Sequence, residues 1–254
     1  MLSREAAKEG MVLLKNEGNV LPLKMGAHIA LFGKGTVVYV KGGGGSGDVS
    51  VSYTKNLYQG LSELQGAVEI EQRLVDFYQE NVKEQYKNGA VCGMTVEPEV
   101  PEELYRSARA FTDTAVISIC RFSGEGWDRK SKYDKGKELA ADPLLKRAES
   151  VFEDGDFYLT HQEKKLVEKV KEYFTKIVVV LNVGGMVDTE WFADDDKINS
   201  VLMAWQGGME GGLAAAEILC GDITPSGKLV DTFAKRLADY PSSPNFHDSI
   251  YYAE

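Results

Sequence analysis

Lys176-Ile177-Val178-Val179-Val180-Leu181-Asn182 is a run of β-branched and aliphatic residues in which no polar residue takes the alternate positions. A strand of that composition has to bury both faces, and this happens in a parallel sheet covered by helices on each side. Ala115-Val116-Ile117-Ser118-Ile119-Cys120 repeats the pattern, and His28-Ile29-Ala30-Leu31-Phe32-Gly33 and residues 198–205 carry further versions of it. Helical patterning falls between these runs, over 57–64, 72–86, about 102–111 and 213–220. Thr160-His161-Gln162-Glu163 is a capping box opening a helix that reaches about Phe174, since the Thr hydroxyl and the Glu side chain can satisfy two free backbone donors. Residues 3–15 read as an amphipathic helix with Ser3 as N-cap, closed by a turn at Asn16-Glu17-Gly18. Strands alternating with helices predict a three-layer α/β/α sandwich, flavodoxin-like, with a mainly parallel sheet of roughly six strands. No repeat or linker interrupts the pattern, so residues 1–254 read as a single domain.

With 43% hydrophobic and 27% charged residues the composition is that of a soluble globular chain. A net charge of −10 argues against a nucleic-acid partner, which would favour a basic face. No apolar stretch approaches the ~20 residues of a membrane span, and Ser3-Arg4-Glu5-Ala6-Ala7-Lys8-Glu9 is unlike a signal peptide, so no membrane partner is expected. Cys92, Cys120 and Cys220 form no C-x-x-C pair, which fits a reducing, cytoplasmic compartment. The sequence leaves a homo-oligomer open.

The chemistry concentrates in Gly124-Glu125-Gly126-Trp127-Asp128-Arg129, just past the 115–120 strand. A carboxylate between two glycines on a loop leaving the C-terminal end of a core strand is where an α/β protein carries an acid or a base, because glycines let backbone and ligand approach closely. Trp127 on the same loop could stack on a sugar ring as well as pack locally. Asp128 and Arg129 could contact substrate hydroxyls, although an adjacent acid and base more often brace their own loop. The glycine run 42–47 lacks the G-K-[ST] ending of a phosphate loop, and a nucleotide-binding, flavodoxin-like function ranks last; a loop that lets another surface approach suits it better. His28, His161 and His247 lack metal-ligand spacing, so no metal and no other cofactor is expected. No G-x-S-x-G elbow occurs, and Gly45-Ser46-Gly47 reads as a plain turn.

Five stretches together resemble the α/β-sandwich domain of glycoside hydrolase family 3, the family of many β-glucosidases and β-xylosidases. They are residues 9–16 (EGMVLLKN) with Leu21-Pro22-Leu23 behind them, 123–129 (SGEGWDR), 180–184 (VLNVG), 204–212 (AWQGGMEGG) and 221–229 (GDITPSGKL), in the family's order over nearly the whole chain. The resemblance implies an active site shared between two domains, a (β/α)8 barrel supplying an Asp nucleophile and this sandwich supplying the general acid/base, which maps onto Glu125. A retaining mechanism needs two carboxylates roughly 5 to 5.5 Å apart. The chain has no room for a barrel of about 250 residues and no S-D-W-like nucleophile segment. The expectation is therefore an acid/base-supplying domain of a retaining β-glucosidase acting on terminal β-D-glucosides or short β-glucans, inactive alone and partnered by a barrel of the same enzyme. Glu125 would need a carboxyl that keeps its proton before attack. The start at Met1 hints at members with the sandwich ahead of the barrel, and the apolar end at Ile250-Tyr251-Tyr252 at a chain cut short. A non-catalytic carbohydrate-binding or assembly module is the alternative.

Overall fold

The computed structural model describes residues 2–125, 127 and 143–243. In chain order the elements are α1 (Leu2–Gly10), β1 (Val12–Asn16), β2 (Ala27–Phe32), α2 (Leu57–Glu63), β3 (Val68–Ile70), α3 (Gln72–Lys87), α4 (Glu102–Phe111) and β4 (Thr114–Arg121). There follow α5 (Pro143–Val151), α6 (His161–Tyr173), β5 (Lys176–Val183), α7 (Glu190–Ala193), β6 (Ser200–Met203) and α8 (Gly211–Cys220). The strands form one six-stranded sheet in the order β1-β6-β5-β4-β2-β3, parallel throughout except for the antiparallel β1–β6 pair.

Every residue of β4 and β6, and all of β5 but Lys176, is buried, as runs without alternation require. Successive residues serve opposite faces: Ile117, Ile119, Val179 and Leu181 join the core under α3, α4 and α6, whereas Val116, Val178 and Val180 join the one under α2 and α8. Helices therefore cover both faces, and the expected three-layer sandwich is the observed fold. The Thr160 capping box is formed on both sides, with Thr160 Oγ1 accepting from Glu163 N (3.2 Å) and Thr160 N donating to Glu163 Oε2 (2.9 Å).

Two elements differ from the sequence reading. The helix expected over 3–15 stops at Gly10, and Val12–Asn16 is instead the edge strand β1, pairing Val12 with Met203 and Asn16 with Ser200. Glycine weakens the helix at its last residue, and the apolar Val12-Leu13-Leu14 finds a free edge on β6, so tertiary pairing overrides a helical periodicity. Strand β3, three residues with Glu69 at its centre, carried no pattern to read; it exists because β2 offers its outer edge.

Helices α2 and α8 touch backbone to backbone. A Cβ on Gly60 would stand 2.3 Å from the Gly212 carbonyl oxygen, and one on Gly212 would stand 2.3 Å from the Lys55 and Asn56 carbonyl oxygens. Gly60→Ala is expected to lower stability by about 1–3 kcal/mol through overpacking. A denaturant midpoint equal to that of the parent chain would show that the two helices do not need this contact.

Candidate active site

Strand order places the site. From β2 the chain moves outward to β3, then returns to insert β4 on the other side of β2 and continues through β5 to β6. The order reverses between β2 and β4, and in open α/β sheets the crevice for ligands lies at such a switch point, beyond the carboxyl ends of the strands. Two loops leave that edge side by side: residues 33–56 after β2, containing the glycine run, and residues 122–127 after β4, containing Glu125.

The two loops are joined through their glycines. Gly44 N donates to Ser123 O (2.9 Å), and Gly44 and Gly124 form a bridge. A Cβ on Gly124 would lie 2.2 Å from Gly44 N, closer than any side chain tolerates. Trp127 N donates to Gly124 O (3.0 Å), closing a turn that puts Glu125 at its tip. Across from it Gly45 has a φ of 68° and the backbone conformation natural to glycine; a Cβ there would meet the Glu125 Cβ at 2.5 Å. The surface that the glycine run admits is thus the Glu125 loop itself.

Glu125 is exposed, and its Oε2 accepts hydrogen bonds from Ser46 Oγ (2.6 Å) and Ser46 N (3.0 Å). The Ser46 hydroxyl and then its amide favour the ionised form, so the Glu125 carboxyl lies below the usual carboxylate range. This is opposite to the direction that a proton donor needs before attack. The cause, a seryl hydroxyl 79 positions earlier in the chain, has no local sequence signal.

Trp127 is tied down on the sandwich side. Its Nε1 donates to Asp156 Oδ2 (3.2 Å), and its ring meets Phe122 edge to face at 5.6 Å between centroids. The Asp156 carbonyl accepts in turn from Arg121 Nε (3.1 Å), at the end of β4. Arg121 is 1% exposed, and all five of its N–H donors are used: on Asp156 O, Cys120 O, Tyr158 O, and the two oxygens of Glu163 at 2.8 and 2.5 Å. Burial pushes the Glu163 carboxyl up, but the charge and hydrogen bonds of Arg121, with help from Lys34 and the Thr160 amide, hold it down at about 2. Lys34, at the end of β2, is buried 3.9 Å from Glu163 Oε1 and donates to the Thr95 carbonyl. Beside it Glu97 Oε2 accepts from Lys34 N (2.9 Å), and burial pushes the Glu97 carboxyl up to about 7. A buried cluster of Arg121, Lys34, Glu163 and Glu97 therefore underlies the ends of β2 and β4, from which both loops depart. Asp128 and Arg129 lie outside the described residues.

Other blocks singled out in the sequence form the neighbouring floor. Asn182, at the end of β5, exchanges hydrogen bonds with Val40 N and O (2.8 and 3.0 Å) and donates to Trp205 O (2.7 Å), fixing the loop from β2 and the one from β6. Gln206 Nε2 donates to Ser123 Oγ (3.1 Å), and Gly207 N to the Tyr39 hydroxyl (3.0 Å). Trp191 and Trp205 pack at the margin of the core. Among the described residues no three His, Cys, Asp or Glu side chains stand close enough to share a cation, and no helix is long and apolar enough to cross a membrane.

A sandwich that presents a carboxylate on a tight turn at its switch point is an open-sheet α/β domain whose candidate site lies at its carboxyl edge. Residues 11–254 match the model of the glycosyl hydrolase family 3 C-terminal domain. The chain belongs to glycoside hydrolase family 3. Beta-glucosidase A of Butyrivibrio fibrisolvens is 57% identical over 254 residues, covering 100% of this chain and 31% of that protein. A beta-glucosidase of Ruminococcus albus is 35% identical over 258 residues, covering 98% of this chain and 25% of that protein. Among solved structures, a beta-glucosidase from Paenibacillus barengoltzii superposes with a TM-score of 0.80 at 32% identity, covering 96% of this chain and 25% of that one. Beta-glucosidase 3B from Thermotoga neapolitana, in complex with alpha-D-glucose, gives 0.77 at 33% identity, over 97% of this chain and 32% of that one. The chain thus spans between a quarter and a third of the length of these relatives.

Proposed function

We propose that this chain supplies the general acid/base of a retaining β-glucosidase, acting on terminal β-D-glucosides or short β-glucans once a (β/α)8 barrel of the same enzyme provides the nucleophile, and that it has no hydrolytic activity alone. The carrying observation is the turn that fixes Glu125 at the switch point, in a chain whose relatives named above are β-glucosidases.

In the first step a barrel carboxylate bonds to the anomeric carbon, the glycosidic bond breaks with its electron pair going to the leaving oxygen, and that oxygen takes the Glu125 proton. In the second, Glu125 takes a proton from water as the water oxygen attacks the same carbon and the nucleophile leaves with its bonding pair. An exposed Glu125 facing Ser46 suits the second role; closure of a barrel over the loop would remove water and push the carboxyl up, as the first role requires. Trp127, held by Asp156 and Phe122, anchors the loop; the role proposed for Asp128 and Arg129, from their place in the sequence alone, is contact with the sugar hydroxyls.

The test is removal of the Glu125 carboxylate in the complete enzyme, asking whether azide restores turnover. A second variant probes the geometry. Gly124→Ala would force the two loops apart, and misplacing a reacting group by about 1 Å can cost about 100-fold, so kcat/KM is expected to fall by that order with the melting temperature little changed. Full activity in Gly124→Ala would mean that the close approach of the loops does not aim Glu125.

A further inference from the structure

We infer that Ser46 is a positioning residue for this reaction, its hydroxyl and backbone N–H together seating the carboxylate that Glu125 becomes each time it gives up its proton. The inference rests on Glu125 being the acid/base and extends it to a residue of another loop.

Four observations carry it. Both Ser46 donors converge on the same oxygen, Oε2, at 2.6 and 3.0 Å, which leaves Oε1 for the substrate or water. The backbone N–H comes from a short 3-10 turn, Gly45–Gly47, whose geometry the Gly44–Ser123 hydrogen bond holds independently of the Ser46 side chain. Gly45 makes the approach feasible, because any Cβ there would collide with Oε2 at 2.7 Å. Finally, the contact spans the switch point, so the donor and the acid/base sit on loops that the sheet itself places in register. With the transferable proton on Oε1, Oε2 accepts from the Ser46 hydroxyl both before and after the proton leaves, so Ser46 keeps its own proton throughout. Hydrogen bonds to the charged form favour it; they assist proton release to the leaving group and ready the base that next activates water.

The expected signature lies in the pH profile. Ser46→Ala removes one of the two donors, so the Glu125 carboxyl should titrate higher and the basic limb of kcat/KM should move to higher pH. Substrates with poor leaving groups should slow by about tenfold, the scale of one hydrogen bond to a charged group. Ser46→Thr, which keeps the hydroxyl, should leave the limb in place, whereas a merely structural role for Ser46 would not move the limb in either variant. All measurements use the complete enzyme beside Glu125→Ala. A Ser46→Ala limb coincident with the parent's, while Glu125→Ala is rescued by azide, overturns the role of Ser46 and spares that of Glu125. Failure of azide rescue in Glu125→Ala overturns both.

Discussion

Glu125→Ala in the complete enzyme is expected to lower kcat/KM by about 10²- to 10⁴-fold on alkyl β-glucosides, the range that a positioned acid contributes. The loss should be graded. A dinitrophenolate departs without a proton, so dinitrophenyl β-glucoside should form its glycosyl enzyme almost as fast as in the parent. The second step then lacks its base, so the intermediate accumulates and both kcat and KM fall on that substrate. Azide needs no base: it should restore turnover and give the β-glucosyl azide, the configuration that two successive inversions require. An equal loss across all leaving groups, with no azide effect, would remove Glu125 from the chemistry and leave the loop a structural role.

Glu163→Gln should be the most damaging single substitution to the fold among the buried polar residues described above. Glutamine fits the space and can still serve the capping box, but it leaves the Arg121 guanidinium, 1% exposed, without its countercharge. Breaking a buried pair from one side costs about 3–5 kcal/mol, because the surviving charge stays desolvated. The pH dependence carries the sign. The Glu163 carboxyl, depressed from 4.5 to about 2 in the folded chain, contributes stability that is complete above pH 4.5 and is lost as pH falls toward 2. The gap between parent and variant should therefore be constant near neutrality and narrow below pH 4.5. Denaturant titrations at several pH values would decide: a gap that does not change down to pH 3, or no gap at all, would mean that Arg121 finds compensation elsewhere. The double change Arg121→Met with Glu163→Leu should be milder than Glu163→Gln, since the guanidinium is removed together with its countercharge and Lys34 is left facing Glu97.

The core of the fold is legible in the sequence because β4 and β5 are buried on both faces and have no choice of pattern. The capping box at Thr160 is legible for a different reason, since it is made within four consecutive residues. What could not be read depends on partners far along the chain. Strand β1 is helical by periodicity and extended by its pairing with β6; β3 is defined by the edge of β2. In the site, Glu125 stands out through its flanking glycines. Ser46, Asp156 and the Arg121–Glu163 pair do not, because each acts through a contact at least 29 positions away. Glu163 shows how one residue can be read correctly and incompletely: its local role as a capping partner conceals its charge-bearing role under β4.

The antiparallel pair at the sheet's edge has a consequence for biogenesis. Strand β1 ends at Asn16, and its partner β6 begins at Ser200. A ribosome therefore releases an apolar strand whose amide and carbonyl groups have nowhere native to go until the residue 184 positions further on, where β6 begins, has been made. Unpaired strand edges of that kind are what chaperones shield and what aggregates recruit. Closure of this edge is thus a late event in the folding of the domain. The loops that hold Glu125 meet earlier, as soon as β4 slips in beside β2.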